Sequence, residues 1–181
     1  MAEGFLSDRS RRLLDGALAV RSSGTWARPG NPPTAEAVQA AAERGIDIAA
    51  HTASPFTPEL AAWADLIVAM TAEQAEEIIE QAPEGSSKTF TLKELVGLVN
   101  ALPSPSGPLG REELLERIAA ADELRRGPEP PTMGDLDVAD PLGLPVEAYR
   151  AAAWEIEELV NALVRGLAGA DRSAAARNQE P

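Results

Sequence analysis

None of the 181 residues is a cysteine. That excludes a disulfide framework, thiolate metal sites and thiol catalysis by these residues. Histidine is almost as scarce: His51 stands alone, and one imidazole with no other residues at ligand spacing builds no metal cluster. No apolar run approaches the roughly 20 residues needed to cross a bilayer, and no basic-then-apolar leader opens the chain. Positive charge is short as well, with 16 Lys and Arg against 29 Asp and Glu, a formal charge of −13. A nucleic-acid partner would need a basic face to neutralise phosphates, and anionic membranes would repel such a surface. A glycine-rich loop followed by Lys-Ser or Lys-Thr is also lacking, so nucleotide-triphosphate chemistry has no support. The expectation is a soluble cytoplasmic protein with no metal or cofactor, no nucleic-acid partner and no membrane contact.

What is present is helix punctuation. Thr71 with Gln74, and Thr91 with Glu94, have the capping-box spacing, in which two side chains satisfy orphan amides reciprocally. Thr34 caps a helix to about Arg44, with Gly45 as a left-handed stop. Thr57-Pro58 puts proline where its missing N–H costs nothing. Among the short apolar runs, Leu66 to Met70 is the best strand, with Ala17–Val20 and Thr89–Thr91 weaker. Strands alternating with helices predict an α/β fold with a mostly parallel sheet covered on both faces. Residues 102–134 read as a loop-helix-loop excursion on the surface, its helix spanning Arg111 to Arg126 between Pro-rich linkers. A final helix from Pro145 to about Ala168 carries one apolar stripe through Tyr149, Ala153, Ile156, Val160, Leu163 and Leu167. Glu147, Glu155, Glu157 and Glu158 are expected to face solvent, and residues 169–181 to form a frayed tail. The domain is thus expected over 1–168.

Two loops suggest chemistry. Val138-Ala139-Asp140-Pro141-Leu142-Gly143 leads into the final helix, and Val20-Arg21-Ser22-Ser23-Gly24-Thr25 follows the first apolar run. On composition, both read first as turns. In their order and spacing, together with Gly30-Asn31-Pro32-Pro33, Asp65 to Met70 and Lys88 to Leu92, they resemble the low-molecular-weight protein tyrosine phosphatase family. The resemblance implies a three-layer fold with a short parallel sheet. It also implies hydrolysis of a phosphotyrosine protein or a small phosphomonoester through a phosphocysteine. Carried over, Asp140 is the general acid, then the base that activates water; such a group is worth about 10²–10⁴-fold in rate. Ser22 matches the serine that braces the phosphate loop, and Trp26 a position on the cleft rim. Leu142 stands where many relatives have an aromatic ring, so it offers apolar contact without stacking. His51 matches a structural stretch. Arsenate reduction on the same scaffold would need several cysteines.

The family pattern also contains what these residues do not: a first, central strand feeding a Cys-x5-Arg phosphate loop at a helix N-terminus. The expectation is therefore a phosphatase-like sheet with its first strand missing, and a chain inactive as it stands. Two explanations are weighed. Met1 is the internal methionine of a longer reading frame, or the chain is a catalytically silent phosphoprotein-binding or regulatory remnant. Undamaged caps and apolar stripes favour the first, because decay would leave conflicts between levels.

Overall fold

The computed structural model describes residues 1–14, 18–105 and 109–168; the expected tail over 169–181 and Ala17 lie outside them. Seven helices, α1 (Ala2–Leu13), α2 (Ala35–Ala42), α3 (Pro58–Trp63), α4 (Ala72–Gln81), α5 (Leu92–Ala101), α6 (Arg111–Arg126) and α7 (Val146–Ala168), surround two strands, β1 (Ile67–Ala69) and β2 (Thr89–Thr91). The strands pair in parallel, Ile67 with Thr89 and Ala69 with Thr91. A parallel pair needs a crossover, here α4 and a 3-10 turn over Pro83–Lys88.

The caps work as their chemistry dictates. Thr34, Thr57, Thr71 and Thr91 each accept the backbone N–H of the third residue of the following helix. Thr91 and Glu94 complete a reciprocal box. Gln74 departs from it: its Oε1 accepts from Met70 N–H at 3.1 Å, not from Thr71. It thereby ties the end of β1 to the first turn of α4. Gly45 has φ 78°, the left-handed stop that favours glycine.

Residues 18–20 form no strand. Extended backbone becomes a strand only by sharing a hydrogen-bond ladder, and the described sheet holds β1 and β2 alone. A parallel strand covered on both faces should be buried, but Ile67 and Val68 of β1 are only half-buried. Nominal edge strand β2 is fully buried. The core divides accordingly. One apolar cluster joins Phe5 of α1, Ala40 and Ala41 of α2, Ile46, Ile48 and the α7 stripe at Tyr149, Ala153, Ile156 and Val160. The second joins Phe90, Leu95, Leu98 and Val99 to Leu114 and Ile118 of α6 and to Leu163 and Leu167 of α7. Half-buried Met70 and Leu159 pack against both.

Two expectations about surfaces are corrected here. Helix α6 is no surface excursion: it buries Leu114, Ile118 and Ala121, and its Arg125 covers the outer edge of β2. Arg125 donates to Thr89 O at 2.7 Å and to Ser86 O at 2.5 Å, and its guanidinium lies 4.1 Å from the Phe90 ring centroid. A cation that occupies strand carbonyls also blunts the edge against pairing with another chain. Glu157 does not face solvent. It sits between Arg9 of α1, at 2.9 Å, and Arg44 beyond α2, because α7 packs against both elements. Arg9 is thus an internal ion-pair partner, whereas the exposed Arg11 and Arg12 pair with Asp8 of their own helix.

A second α2–α7 tie joins Arg150 to Glu43 through two hydrogen bonds of 2.6 and 2.8 Å. They hold the exposed Glu43 carboxyl down to about 2. Because that value lies below the ordinary one, the stabilisation is present above pH ~4.5 and fades as pH falls towards 2. Exposure keeps it modest.

Arg125→Met keeps the apolar stem but leaves the Thr89 and Ser86 carbonyls without this donor. We expect a loss of about 2 kcal/mol or more in urea unfolding, since a buried acceptor left unpaired costs ~1–3 kcal/mol. Arg125→Lys should recover less than half, because an ammonium cannot span the same carbonyls. Equal stability of the Arg125→Met protein would remove this role.

Candidate functional site

The loop before α7 is hung from the C-terminal end of β1. Val138 N–H donates to Met70 O at 2.8 Å, the bond that places the loop beside the strand end. Asp137 Oδ1 accepts from Ala72 N–H at 2.8 Å, so its carboxylate sits at the N-terminus of α4, where the helix dipole favours negative charge. Lys93, from the first turn of α5, donates to Asp137 O at 2.5 Å. The same ammonium meets Glu155 of α7 at 2.8 Å and Asp135 at 3.7 Å. Glu155 foremost raises the Lys93 pKa, with Asp135 adding to it. Four elements thereby converge on a segment whose own backbone forms no helix or strand.

Asp140 emerges from this anchored segment exposed to solvent. Its Oδ1 accepts from Leu142 N–H at 3.0 Å, an Asx turn that fixes the carboxylate relative to its own backbone. Leu144 N–H then bonds Pro141 O at 2.9 Å across Gly143, whose φ of 79° requires a residue without Cβ strain. Asp-Pro, glycine and the start of α7 therefore form one rigid unit. The turn orients a carboxylate that stays open to solvent. Leu142, 69% exposed, projects from the same turn.

The second loop is braced differently. Gly24 pairs in parallel with Pro55 as an isolated bridge, with Gly24 N–H on Ser54 O at 3.0 Å and Phe56 N–H on Gly24 O at 3.0 Å. The Ser22 hydroxyl donates to Glu3 of α1, 2.5 Å away, while Ser54 Oγ donates to Ser22 O at 3.0 Å. His51 Nδ1 lies 3.8 Å from the same Glu3 carboxylate. Glu3 was not singled out by sequence reasoning, because nothing local marks a first-turn glutamate as a serine's acceptor. Trp26 does not pack under its own loop. It is 86% exposed, and its Nε1–H donates to Glu77 of α4 at 2.8 Å. Among the described residues no three His, Asp or Glu stand where they could hold a metal ion, and no helix is long and apolar enough to cross a membrane.

A family model described as low molecular weight phosphotyrosine protein phosphatase matches residues 1–121. The chain belongs to that family. It is 33% identical over 150 residues to a protein-arginine-phosphatase of Geobacillus stearothermophilus, covering 83% of this chain and 77% of the relative. It is 32% identical over 168 residues to a protein-arginine-phosphatase of Bacillus subtilis, covering 92% and 87%. The crystal structure of a low molecular weight protein tyrosine phosphatase from T. tengcongensis superposes with a TM-score of 0.67 at 29% identity, over 91% of this chain and 87% of that one. Phosphatases of this family act on phosphoproteins or phosphomonoesters, and the α/β fold with a short parallel sheet is theirs.

Asp137→Ala should free the loop from α4. We expect the Val138 amide to exchange hydrogen about 3- to 10-fold faster, the scale of one lost hydrogen bond, with core amides such as Leu95 unchanged. An unaltered Val138 rate would show that the loop is not held this way.

Proposed function

We propose that these residues supply the acid–base loop and the cleft wall of a cysteine-dependent protein phosphatase working in the cytoplasm. The reaction needs a thiolate that none of the 181 residues provides, so by themselves they do not turn over substrate. Supplied with a strand and a Cys-x5-Arg loop beside β1, the scaffold would run the two-step chemistry. In the first step the thiolate attacks phosphorus and Asp140 gives its proton to the leaving atom. In the second, Asp140 takes a proton from the water that attacks the phosphocysteine, regenerating thiolate and acid. One observation carries this reading: Asp140 is presented in the open on a loop bonded to the end of β1. The half-buried Ile67 and Val68 support it, because they mark the β1 side of the sheet as the place where coverage is thin.

Phosphotyrosine and phosphoarginine are the substrates to separate. The family description supports the first. The second is favoured by two observations: aliphatic, exposed Leu142 offers no ring to stack on a phenol, and both relatives named above are protein-arginine-phosphatases. With phosphoarginine the leaving atom is a guanidine nitrogen, and Asp140 protonates it in the same position.

The test grafts the N-terminal strand and phosphate loop of the Geobacillus relative onto residues 1–181. The ungrafted protein should leave para-nitrophenyl phosphate untouched, and the graft should hydrolyse it. Asp140→Ala in the graft should slow turnover by about 10²–10⁴-fold. Phosphotyrosine and phosphoarginine peptides then rank the substrate. Hydrolysis by residues 1–181 alone, or a folded graft that stays inactive while 1–181 binds phosphopeptide, would overturn the proposal; the latter result would install a binding role instead.

A further inference from the structure

A notch of about 300 Å³ opens between the Ser-Gly-Thr turn and α4, lined by Thr25, Trp26, Glu77, Glu80 and Gln81. Its construction is specific. Glu77, Glu80 and Gln81 lie three and four residues apart on α4, so they share one face of the helix. The bonded turn at Gly24 fixes where Trp26 leaves the loop, and the Nε1–H···Glu77 bond fixes the orientation of the indole. That bond uses the polar edge of the ring and leaves its surface 86% exposed. Large aromatic surface is normally covered, and an amphipathic ring held in the open is the usual anchor of a binding surface.

Charge decides what fits. Glu77 is kept ionised, its carboxyl pulled below the ordinary value first by the Thr25 hydroxyl and then by the Trp26 indole. Among the described residues no Lys, Arg or His forms an ion pair with Glu77 or Glu80. An exposed indole face attracts a cation through its quadrupole, and adjacent carboxylates attract one through charge. A planar guanidinium satisfies both at once, stacking on the ring while its N–H groups fork onto carboxylate oxygens. An ammonium is a point charge and meets only one contact well. The same protein already uses this chemistry: Arg21 lies 4.6 Å from the Trp63 centroid, and Arg125 covers Phe90 while bonding Asp122.

We propose that the notch beside Trp26 is a binding site for an unmodified arginine side chain of a partner polypeptide. Phosphorylation of that arginine would place phosphate oxygens against two glutamates, so the site discriminates against the phosphorylated side chain. Its lining includes no residue of the Asp140 loop, and it requires no turnover to be observed.

The experiment follows the Trp26 indole N–H resonance, assigned with Trp26→Phe, as residues 1–181 are titrated with N-acetyl-arginine amide. The lysine, citrulline and phosphoarginine analogues serve as comparisons. A saturable shift with the arginine compound is expected, weakened by added salt. Citrulline, planar but uncharged, should bind roughly 3- to 30-fold more weakly, the combined scale of an exposed cation–π contact and an exposed ion pair. Phosphoarginine should give no shift, and lysine an intermediate one. Glu77→Gln with Glu80→Gln should abolish the response. Glu80→Gln alone, which leaves the Trp26–Glu77 bond in place, should weaken it with the fold intact by circular dichroism. No arginine response, an equal response to citrulline or lysine, or an unchanged response in Glu80→Gln would each overturn the proposal. Because the readout is binding, its failure leaves the phosphatase reading untouched, and failure of that reading leaves this site standing.

Discussion

Helix α7 lays one apolar stripe along both halves of the core, and the rest of the molecule is arranged around that contact. Tyr149, Ala153, Ile156 and Val160 close the half built with α1 and α2, while Leu163 and Leu167 close the half built with α5 and α6. A pair of three-residue parallel strands has too few ladder bonds to organise this much structure. The helix supplies the continuity that the sheet does not. Its polar side is also committed, since Glu157 holds Arg9 and Arg44 and Arg150 holds Glu43.

That dependence gives the Asp140 loop its position. The loop enters α7 directly, so whatever fixes the helix fixes the loop's downstream end. Upstream, the Met70, Ala72 and Lys93 bonds fix the other end to β1, α4 and α5. Asp140 lies between two anchored ends and is oriented by its own Asx turn. Preorganisation of this kind is what the proposed proton donor would require, because a misplaced acid loses most of its rate advantage. On the Ser22 side, with no phosphate loop among these residues, the hydroxyl is satisfied by Glu3.

Local signals were the legible ones. Thr91 and Glu94 are three residues apart and do what their spacing predicts, and the α7 stripe reads directly as a buried face. Asp140-Pro141 with Gly143 marks both the turn and the candidate acid. What failed to read were contacts between distant residues. Lys93 and the Asp137 carbonyl are separated by 44 positions, Trp26 and Glu77 by 51, and Arg9 and Glu157 by 148. Helix α6 was misplaced to the surface because its stripe is short and its flanks are proline-rich; burial of Leu114 and Ile118 depends on α5, which its own sequence does not reveal. Residues 18–20 are a short apolar run ending in β-branched Val20, but a strand is a property of pairs, and pairing was not visible in one segment.

The central claim is that the loop carrying Asp140, the proposed acid, is set by its bonds to β1, α4 and α5, independently of any nucleophile. A crystal structure of the grafted protein with vanadate at its cysteine tests this most directly. The account predicts that residues 135–144 keep the Val138–Met70 and Asp137–Ala72 bonds, with the Asp140 carboxyl at the apical vanadate oxygen. A loop that breaks those bonds to reach the anion, or an Asp140 turned away from it, would contradict the claim.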